Sequence, residues 1–247
     1  MTSIALTPQP ILDVSRATET RAVVRTHALR KTYRVGSVEA RALRGIDLTI
    51  HPGEFTAIAG PSGSGKSTLL HCIGGLDRPT GGEVWFEDRR IDTLSRTQLA
   101  ELRLHRIGFV FQAYNLIPVL SALENAAFVL ELRGVARRER EERARRALHE
   151  LGLDGFERRR PNQLSGGQQQ RVAVVRALAA EPSIILADEP TANLDGKAGI
   201  ALIDVMRRLN EEHGTTFVFS THDPRLLERV NRTVMLEDGR VVEDDGA

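Results

Sequence analysis

The chain has 247 residues, of which 41% are hydrophobic and 27% charged, and its formal net charge is +1. This length and apolar content suit one large α/β domain or two small ones, and the near-neutral charge argues against a polyanionic partner such as nucleic acid. The single cysteine, Cys72, cannot form an intramolecular disulfide, and no apolar stretch approaches the roughly 18 residues of a membrane span, so we expect a cytosolic chain.

The N-terminal segment, residues 1–21, is rich in Thr, Ser and Pro and lacks the basic start and apolar run of a signal peptide. Its composition predicts a flexible tail in front of a domain that spans residues 22–247. Residues 22–52 and 82–92 have short, alternating apolar patterns, which predict an antiparallel layer.

Four short apolar runs predict strands that are buried on both faces, as in a parallel sheet. They are FTAIAG (55–60), IGFVFQ (107–112), SIILADE (183–189) and TFVFSTH (216–222). Each ends in a glycine or a polar side chain, and open parallel sheets bind ligands outside the carboxyl ends of their strands. We therefore expect one shared crevice, although any single run could simply stop at a polar residue. The residues expected there are Gly60, Gln112, Asp188, Glu189 and His222.

The first run leads into GPSGSGKS (60–67), and Gly-x4-Gly-Lys-Ser between a strand and a helix is a P-loop. Its backbone N–H groups curl round phosphate oxygens, Lys66 reaches the β- and γ-phosphates, and the Ser67 hydroxyl binds Mg²⁺. The chain has 31 Arg and only 3 Lys, so a lysine at this position is informative. The expected nucleotide-binding residues of this segment are Gly60, Pro61, Ser62, Gly63, Ser64, Gly65, Lys66, Ser67 and Thr68.

The stretch LSGGQ (164–168) predicts the start of a helix with Ser165 as its N-cap. Exposed N–H groups behind two glycines favour an anion, which makes this a second phosphate site. About 100 residues separate it from the P-loop, so one nucleotide cannot easily fill both sites. We expect two copies of the chain head to tail, each offering Ser165, Gly166, Gly167 and Gln168 to the nucleotide of the other. A plain N-cap would account for Ser165 and Gly166 alone.

The run SIILADE ends in two acids. Asp188 is expected to hold Mg²⁺ from the side opposite Ser67, and Glu189 to orient an attacking water where the chain turns. Two acids at a strand end often form only a turn, but the P-loop favours the functional interpretation. Further on, Asp238 and Gly239 lie between two short apolar stretches and predict a hairpin.

In this order, GPSGSGKS, Gln112, LSGGQ, ILADEP, ANLD (192–195) and His222 resemble an ATP-binding-cassette (ABC) ATPase over about residues 22–244. The resemblance implies an α/β P-loop NTPase fold of ABC type. Its mainly parallel core sheet is flanked by helices, with an antiparallel β subdomain and a helical subdomain at about residues 113–164. Mixed charges at helical spacing in ELRGVARRER and EERARRALHELG predict a solvated helix face there, or one near lipid head groups.

The resemblance also assigns roles to single residues. Tyr33 would stack on adenine and Asp195 would couple the two sites across the dimer. Taken alone, Tyr33 is more often an ordinary surface residue, and His222 a capping one. The catalytic residues would be Glu189, Lys66 and His222, with His222 contacting the γ-phosphate. Mg²⁺ would be held by Ser67, Asp188 and Gln112, the last also sensing the γ-phosphate.

Narrower features resemble one branch of the family. LDRPTGGEV (76–84), NLIPVLSALENAAF (115–128) and LADEPTANLD are similar to the ATPase subunits of lipoprotein-releasing, macrolide-exporting and cell-division permease complexes. Two departures are Ala192, where that branch usually has Gly, and Val175, where Ala is common. The resemblance implies a dimer that hydrolyses ATP with Mg²⁺ at the cytoplasmic face of the inner membrane.

The implied partners are a second copy of the chain and a separately encoded integral membrane permease, with no nucleic acid. We expect an apolar groove beside Gln112, on the exposed part of residues 114–125, to accept a short permease helix. Packing inside the helical subdomain is the plainer interpretation of that apolar segment. Two other functions stay open: a soluble ABC-type ATPase acting on ribosomes or DNA, and a nucleotide-gated scaffold with little turnover.

Overall fold

The computed structural model describes residues 22–36 and 38–246, and the expected tail at residues 1–21 lies outside them. The strands in the described part are β1 (Val24–Val35), β2 (Val38–Ile50), β3 (Phe55–Ala59), β4 (Gly81–Phe86), β5 (Arg89–Arg90), β6 (Ile107–Val110), β7 (Ile184–Asp188), β8 (Phe217–Thr221), β9 (Arg232–Glu237) and β10 (Arg240–Asp244). The helices are α1 (Lys66–Ile73), α2 (Arg96–Arg106), α3 (Ala122–Leu132), α4 (Arg137–Glu150), α5 (Gly166–Leu178), α6 (Gly196–His213) and α7 (Pro224–Leu227), with a short 3₁₀ turn at Pro161–Gln163.

The core sheet contains all four apolar runs that the sequence predicts to be buried strands. Its order is β10-β9-β3-β8-β7-β6, and every pair from β9 to β6 is parallel. β3 and β8 are buried along their whole length because both faces of the sheet are covered. Phe55 of β3 and Phe219 of β8 meet edge to face, with ring centroids 4.7 Å apart. The predicted mainly parallel core is therefore confirmed.

Two hydrophobic cores lie on the two faces of this sheet. One contains Phe55 and Ala57 of β3 together with α3, α5 and α6. The other contains Ile58 of β3 together with α1 and the strands of the second sheet. Because successive residues of a strand point to opposite faces, α1 and α5 are held on opposite sides of the core sheet. The P-loop and the LSGGQ stretch therefore begin helices that pack on different faces of the sheet.

The second sheet is the predicted antiparallel layer. Its order is β2-β1-β4-β5, and all of its pairs are antiparallel. The predicted C-terminal hairpin is also present, formed by β9 and β10. Asp238 and Gly239 join these strands with φ angles of +44° and +73°. Positive φ at both central residues is typical of a tight type I′ turn.

The range predicted to hold a helical subdomain, residues 113–164, is helical in part. α3, α4 and the 3₁₀ turn lie in this range, whereas residues 113–120 form turns and irregular chain. Tyr114 and Asn115 have φ angles of +59° and +50°, which a right-handed helix cannot contain. Asn125 of α3 is fully buried and stabilises the irregular segment by donating to two of its carbonyl groups, each at 3.1 Å.

The charged helix α4 has the solvated face that its sequence predicts. Arg137 and Glu141 approach to 2.8 Å, and Arg143 and Glu139 to 2.6 Å, both at a spacing of four residues. Such exposed pairs contribute a few tenths of a kcal/mol each, about 0.2–0.5. Along the described residues, no helix combines the length and the hydropathy that crossing a bilayer requires.

Candidate functional site

The predicted site residues gather where the parallel strands of the core sheet end. Gly60 follows β3, Glu189 follows β7 and His222 follows β8, and these three strands are neighbours in the sheet. Gln112 lies two residues beyond the end of β6, at the edge of the same sheet. This is the edge at which open α/β sheets bind ligands.

The P-loop encloses the ammonium group of Lys66. Lys66 Nζ donates to the carbonyl oxygens of Gly60 (2.8 Å) and Pro61 (2.9 Å), and the side chain is buried. Ser64 Oγ is buried and has no hydrogen-bond partner. A buried cation held by neutral carbonyls beside an unpaired hydroxyl fits an incoming phosphate, which would supply the missing negative charge and acceptors. Ser62 and Gly63 lie exposed at the tip of the loop.

The C-terminal hairpin supports the P-loop from behind. The N–H of Gly239 donates to the carbonyl of Ser64 (3.0 Å), and the carbonyl of Gly239 accepts from the N–H of Arg44 (2.8 Å). The loop is therefore linked by backbone hydrogen bonds to both sheets. A Cβ at Gly60 would lie 2.1 Å from the carbonyl oxygen of Leu236, so only glycine fits there.

Two serine hydroxyl groups donate hydrogen bonds to the carboxylate of Asp188. Ser67 Oγ of α1 donates to Asp188 Oδ1 at 2.8 Å, and Ser220 Oγ of β8 donates to the same atom. His71 Nε2 lies 3.7 Å from Asp188 Oδ2. A hydroxyl and a carboxylate are hard oxygen ligands, and Mg²⁺ is usually held by one or two such protein groups together with substrate phosphates. The chemistry of Ser67 and Asp188 therefore fits Mg²⁺.

Gln112 is exposed and stands apart from this pair. In the described part of the chain, no hydrogen bond joins its side chain to Ser67 or Asp188, and its backbone carbonyl accepts from Asn193 Nδ2 at 2.9 Å. The structure therefore brings together two of the three expected metal ligands, Ser67 and Asp188. Asn193 belongs to the ANLD stretch, so this hydrogen bond ties the Gln112 loop to the segment before α6.

Glu189 and His222 form a pair at the centre of the crevice. Glu189 Oε1 lies 2.8 Å from His222 Nδ1. Glu189 has a φ of +47°, an uncommon backbone conformation for a residue other than glycine, and this turn directs its side chain away from the path of β7. Its N–H donates to the carbonyl of Ser220 at 3.0 Å. A half-buried carboxylate beside an exposed imidazole can orient and deprotonate a water.

The LSGGQ stretch begins α5, and Ser165 is its N-cap as predicted. Ser165 Oγ accepts from the N–H of Gln168 (3.3 Å), and Gln168 Oε1 accepts from the N–H of Ser165 (2.9 Å). This reciprocal capping box corrects one step of the sequence argument, because it gives Gln168 a local role. Neighbouring side chains also favour glycine at positions 166 and 167. A Cβ at Gly166 would lie 2.8 Å from Tyr114 Oη, and a Cβ at Gly167 would lie 3.3 Å from Ala198 Cβ.

Tyr33 and Asp195 belong to different parts of the fold, the antiparallel sheet and the start of α6. Tyr33 is on β1, is 37% exposed, and donates through its hydroxyl to Asp77 Oδ2 at 2.7 Å. Burial and the Asp77 carboxylate raise the pKa of Tyr33 to about 12, and Thr68 of α1 is a further hydrogen-bonding neighbour of its hydroxyl. Asp195 is exposed and caps α6, accepting from the N–H of Ala198 at 2.9 Å.

An apolar groove of about 560 Å³ lies beside the Gln112 loop. Phe109 and Phe111 form one side, and Phe128 and Leu132 of α3 another, with Arg176 of α5 also lining it. Of the predicted segment 114–125, only Asn115 lines this groove, and the others pack inward or lie elsewhere. This groove is therefore built mainly from α2, β6, α3 and α5 and not from the segment 114–125 on which the sequence places it.

Two groups of contacts escaped sequence analysis. Arg176 donates to the carbonyls of Tyr114 (3.1 Å) and Asn115, the two residues with left-handed backbone. Burial lowers the pKa of Arg176. Ser220 joins Asp188 to the start of the Glu189 turn. The sequence carried two signals of these contacts. Arg176 stands among apolar residues of α5, and Ser220 stands in the apolar strand β8.

The chain matches known proteins along most of its length. Residues 43–192 match the family model described as ABC transporter. The lipoprotein-releasing system ATP-binding protein LolD of Anaeromyxobacter dehalogenans is 48% identical over 222 residues, which cover 90% of this chain and 93% of that protein. The macrolide export ATP-binding/permease protein MacB of Syntrophobacter fumaroxidans is 46% identical over 221 residues, which cover 89% of this chain and 31% of that longer protein.

A solved structure has the same architecture. The dimeric post-hydrolysis state of the ATP-binding cassette MJ0796 of Methanocaldococcus jannaschii, bound to ADP and Pi, aligns with a TM-score of 0.83 at 45% identity. The alignment covers 90% of this chain and 97% of that one.

Proposed function

Because this chain belongs to the ABC transporter family and is an ATP-hydrolysing subunit of that family, we propose that it drives a membrane permease by closing head to tail on a second copy of itself. Two ATP molecules with Mg²⁺ would lie in the interface, each between a P-loop and the LSGGQ stretch of the other copy. The observation that carries this arrangement is the packing of α1 and α5 into different hydrophobic cores on opposite faces of one sheet. The P-loop and the LSGGQ stretch of one chain therefore begin helices on opposite faces of the sheet, which supports a partner copy as the source of the second element.

The P-loop residues 60–68 bind the phosphates in this proposal. Lys66 exchanges its two loop carbonyls for phosphate oxygens, and the N–H groups at the start of α1 complete the cradle. Ser67 and Asp188, with Gln112 after its loop moves, would hold Mg²⁺, which neutralises charge on the phosphates when bound. Tyr33 stacks on the base, since its exposed ring lies beside α1.

Glu189 orients the attacking water and accepts its proton, while His222 keeps the carboxylate in place and faces the γ-phosphate. Their contact at 2.8 Å supports this division, because a carboxylate paired with an imidazole is held in one orientation. Asp195 lies exposed at the start of α6, where a second copy can meet it. Residues 22–247 act as one ABC domain in this proposal.

The first experiment separates hydrolysis from binding. Glu189→Gln should keep ATP binding and lower turnover about 10²- to 10⁴-fold, because the amide cannot accept the proton. Lys66→Ala should weaken nucleotide binding itself. Phosphate release and binding of a fluorescent ATP analogue measure the two effects. Near-normal turnover of the Gln variant would place the base elsewhere, and a wild-type chain that binds ATP without turnover would favour the nucleotide-gated scaffold.

A second experiment tests the head-to-tail arrangement. Ser165→Arg disables the LSGGQ stretch and Lys66→Ala disables the P-loop. Neither homodimer therefore contains a complete site. A mixed dimer of the two variants regains one complete site, and we expect activity well above that of either variant alone. Absence of rescue in verified heterodimers would mean that LSGGQ acts within its own chain.

The groove is the proposed docking surface for a short permease helix, which would hold the subunit at the cytoplasmic face of the inner membrane. Its aromatic walls and its position next to the Gln112 loop support this assignment. Similarity to LolD and MacB, whose names refer to lipoprotein release and macrolide export, favours a permease of that branch over the ribosome or DNA alternative.

Leu132→Asp tests the groove, and Val119→Asp tests residues 114–125 as the docking site. Both side chains are exposed, at 57% and 71%, so neither change disturbs a packed core. We expect Leu132→Asp to abolish permease binding in a pull-down while the isolated subunit keeps its ATPase activity. Val119→Asp should bind normally. The reverse pattern would restore residues 114–125 as the docking site.

A further inference from the structure

Ser220 occupies an unusual place for a hydroxyl group. It is the fourth residue of β8, is fully buried, and follows Phe217, Val218 and Phe219. A buried hydroxyl that lacks a partner is destabilising, so the contacts of this side chain are informative. Ser220 Oγ donates to Asp188 Oδ1 and accepts from the N–H of Glu189 at 3.3 Å. Both partners of the hydroxyl are therefore acids that the proposed mechanism uses.

The sheet register explains how one side chain reaches both acids. Asp188 and Ser220 are direct partners in the parallel pairing of β7 and β8. The chain then turns at Glu189, whose N–H is shared between the carbonyl of Ser220 (3.0 Å) and its hydroxyl. Two residues after Ser220, the imidazole of His222 meets the Glu189 carboxylate. The end of β8 thus contacts Asp188, the backbone of Glu189 and the side chain of Glu189.

We propose that Ser220 is a positioning residue for ATP hydrolysis, which rests on the function proposed above. Its single proton holds Asp188 Oδ1 on the side of Ser67, and its lone pair stabilises the left-handed turn that aims Glu189. Asp188 Oδ1 has two hydroxyl donors, one from each side of the site. If the Ser67 oxygen were to bind Mg²⁺, Ser220 would remain as the donor that keeps the Asp188 carboxylate from rotating.

The test compares three substitutions of Ser220 that change its buried hydroxyl group. Ser220→Ala removes the hydroxyl, Ser220→Cys fills the volume with a weak donor, and Ser220→Thr restores the hydroxyl. Loss of a group that orients a metal ligand typically costs about 10- to 100-fold in metal affinity or activity. We expect the Ala and Cys variants to lose about tenfold in kcat, with KM for ATP at saturating Mg²⁺ changed by less than about threefold. The Thr variant should stay within about threefold of wild type.

A second readout does not depend on turnover. The Mg²⁺ concentration that half-saturates binding of a fluorescent ADP analogue should rise about tenfold in the Ala and Cys variants and return in the Thr variant. Thr56→Val is the matched control, because Thr56 is a fully buried hydroxyl on β3 of the same sheet that donates to Glu54 instead. It should lower stability without shifting the Mg²⁺ requirement.

Several results would overturn the proposal. One is an Ala variant with normal kcat and normal Mg²⁺ requirement. Another is a folded Thr variant that fails to recover. Unfolding of both the Ala and the Cys variants would also overturn it, since the hydroxyl would then be a requirement of the fold. A wild-type chain that neither binds nor hydrolyses ATP would instead refute the proposed function, which keeps the two failures distinguishable.

Discussion

Two glycines of the P-loop offer a measurement of how tightly the loop is built into the fold. Gly60 and Gly63 both have positive φ, +144° and +81°, and differ in what a Cβ would meet. At Gly60 it would lie 2.1 Å from the carbonyl oxygen of Leu236 and 2.9 Å from Ser64 Oγ, whereas at Gly63 nothing lies within 4 Å. Replacing each with alanine therefore separates backbone strain from steric overlap.

The magnitudes follow from these surroundings. Gly63→Ala should cost only the strain of an L-residue at positive φ, about 1–2 kcal/mol. Gly60→Ala adds overlap with a carbonyl of β9, which pairs with β3, so neither group can move without separating the strands. Overpacking of this kind adds about 1–3 kcal/mol. We expect the free energy of unfolding to fall by about 4 kcal/mol for Gly60→Ala and by about 1.5 kcal/mol for Gly63→Ala.

Thermal and urea unfolding of the nucleotide-free protein measure both changes. At about 3 °C per kcal/mol for a domain of this size, Tm should fall by about 12 °C for Gly60→Ala and about 4.5 °C for Gly63→Ala. Gly65→Ala is a second blocked position, since its Cβ would lie 2.5 Å from the carbonyl oxygen of Ala42, and it should resemble Gly60→Ala. Equal losses at Gly60 and Gly63 would refute the reasoning.

Three further changes have defined outcomes. Hydrogen bonds from Arg225 and Thr191 lower the pKa of Asp223 from an ordinary 3.8 to about 2, although burial opposes the shift. Asp223 therefore contributes about 2 kcal/mol of stability above pH 4, which is lost as pH falls towards 2. Asp223→Asn should be less stable at neutral pH, and its free energy of unfolding should change less between pH 4 and pH 2, as urea titrations at several pH values would measure. Tyr33→Ala should raise KM for ATP about tenfold and Tyr33→Trp should not, because stacking on a base needs only an aromatic face. Arg176→Met removes the donors of two loop carbonyls and should lower the free energy of unfolding by about 2 kcal/mol in urea.

Local patterns were enough to predict much of this molecule. The four buried runs, the P-loop between β3 and α1, the N-cap at Ser165 and the Asp238–Gly239 hairpin each depend on neighbours within a few residues. Such features follow from periodicity, capping and turn chemistry that the sequence displays directly. The ends of β7 and β8 then indicated that Asp188, Glu189 and His222 lie at one edge, because parallel strands share one carboxyl edge, whereas Gln112 after β6 stands apart.

The features that were missed depend on residues far apart in the chain. The irregular segment 113–120 has apolar residues at helical spacing, but Asn125 of α3 and Arg176 of α5 bind its carbonyls in another conformation. Ser220 escaped notice because a serine near the end of a strand is ordinary until the register places Asp188 opposite it. The sequence assigns Gln168 and Gly167 only a functional role, although Gln168 also completes a capping box and a Cβ at Gly167 would make a tight contact of 3.3 Å with Ala198 of α6.

The contacts around Gln112 join the groove to the nucleotide edge through hydrogen bonds rather than apolar packing. Arg176 lines the groove and donates to the carbonyls of Tyr114 and Asn115. Two residues before Tyr114, the carbonyl of Gln112 accepts from Asn193, two residues before the α6 cap at Asp195. The loop that carries Gln112 is thus held by one guanidinium at the groove and one amide near the start of α6. Under the proposed function, movement of this loop would break or rebuild these hydrogen bonds, and that would couple the groove to the proposed dimer face.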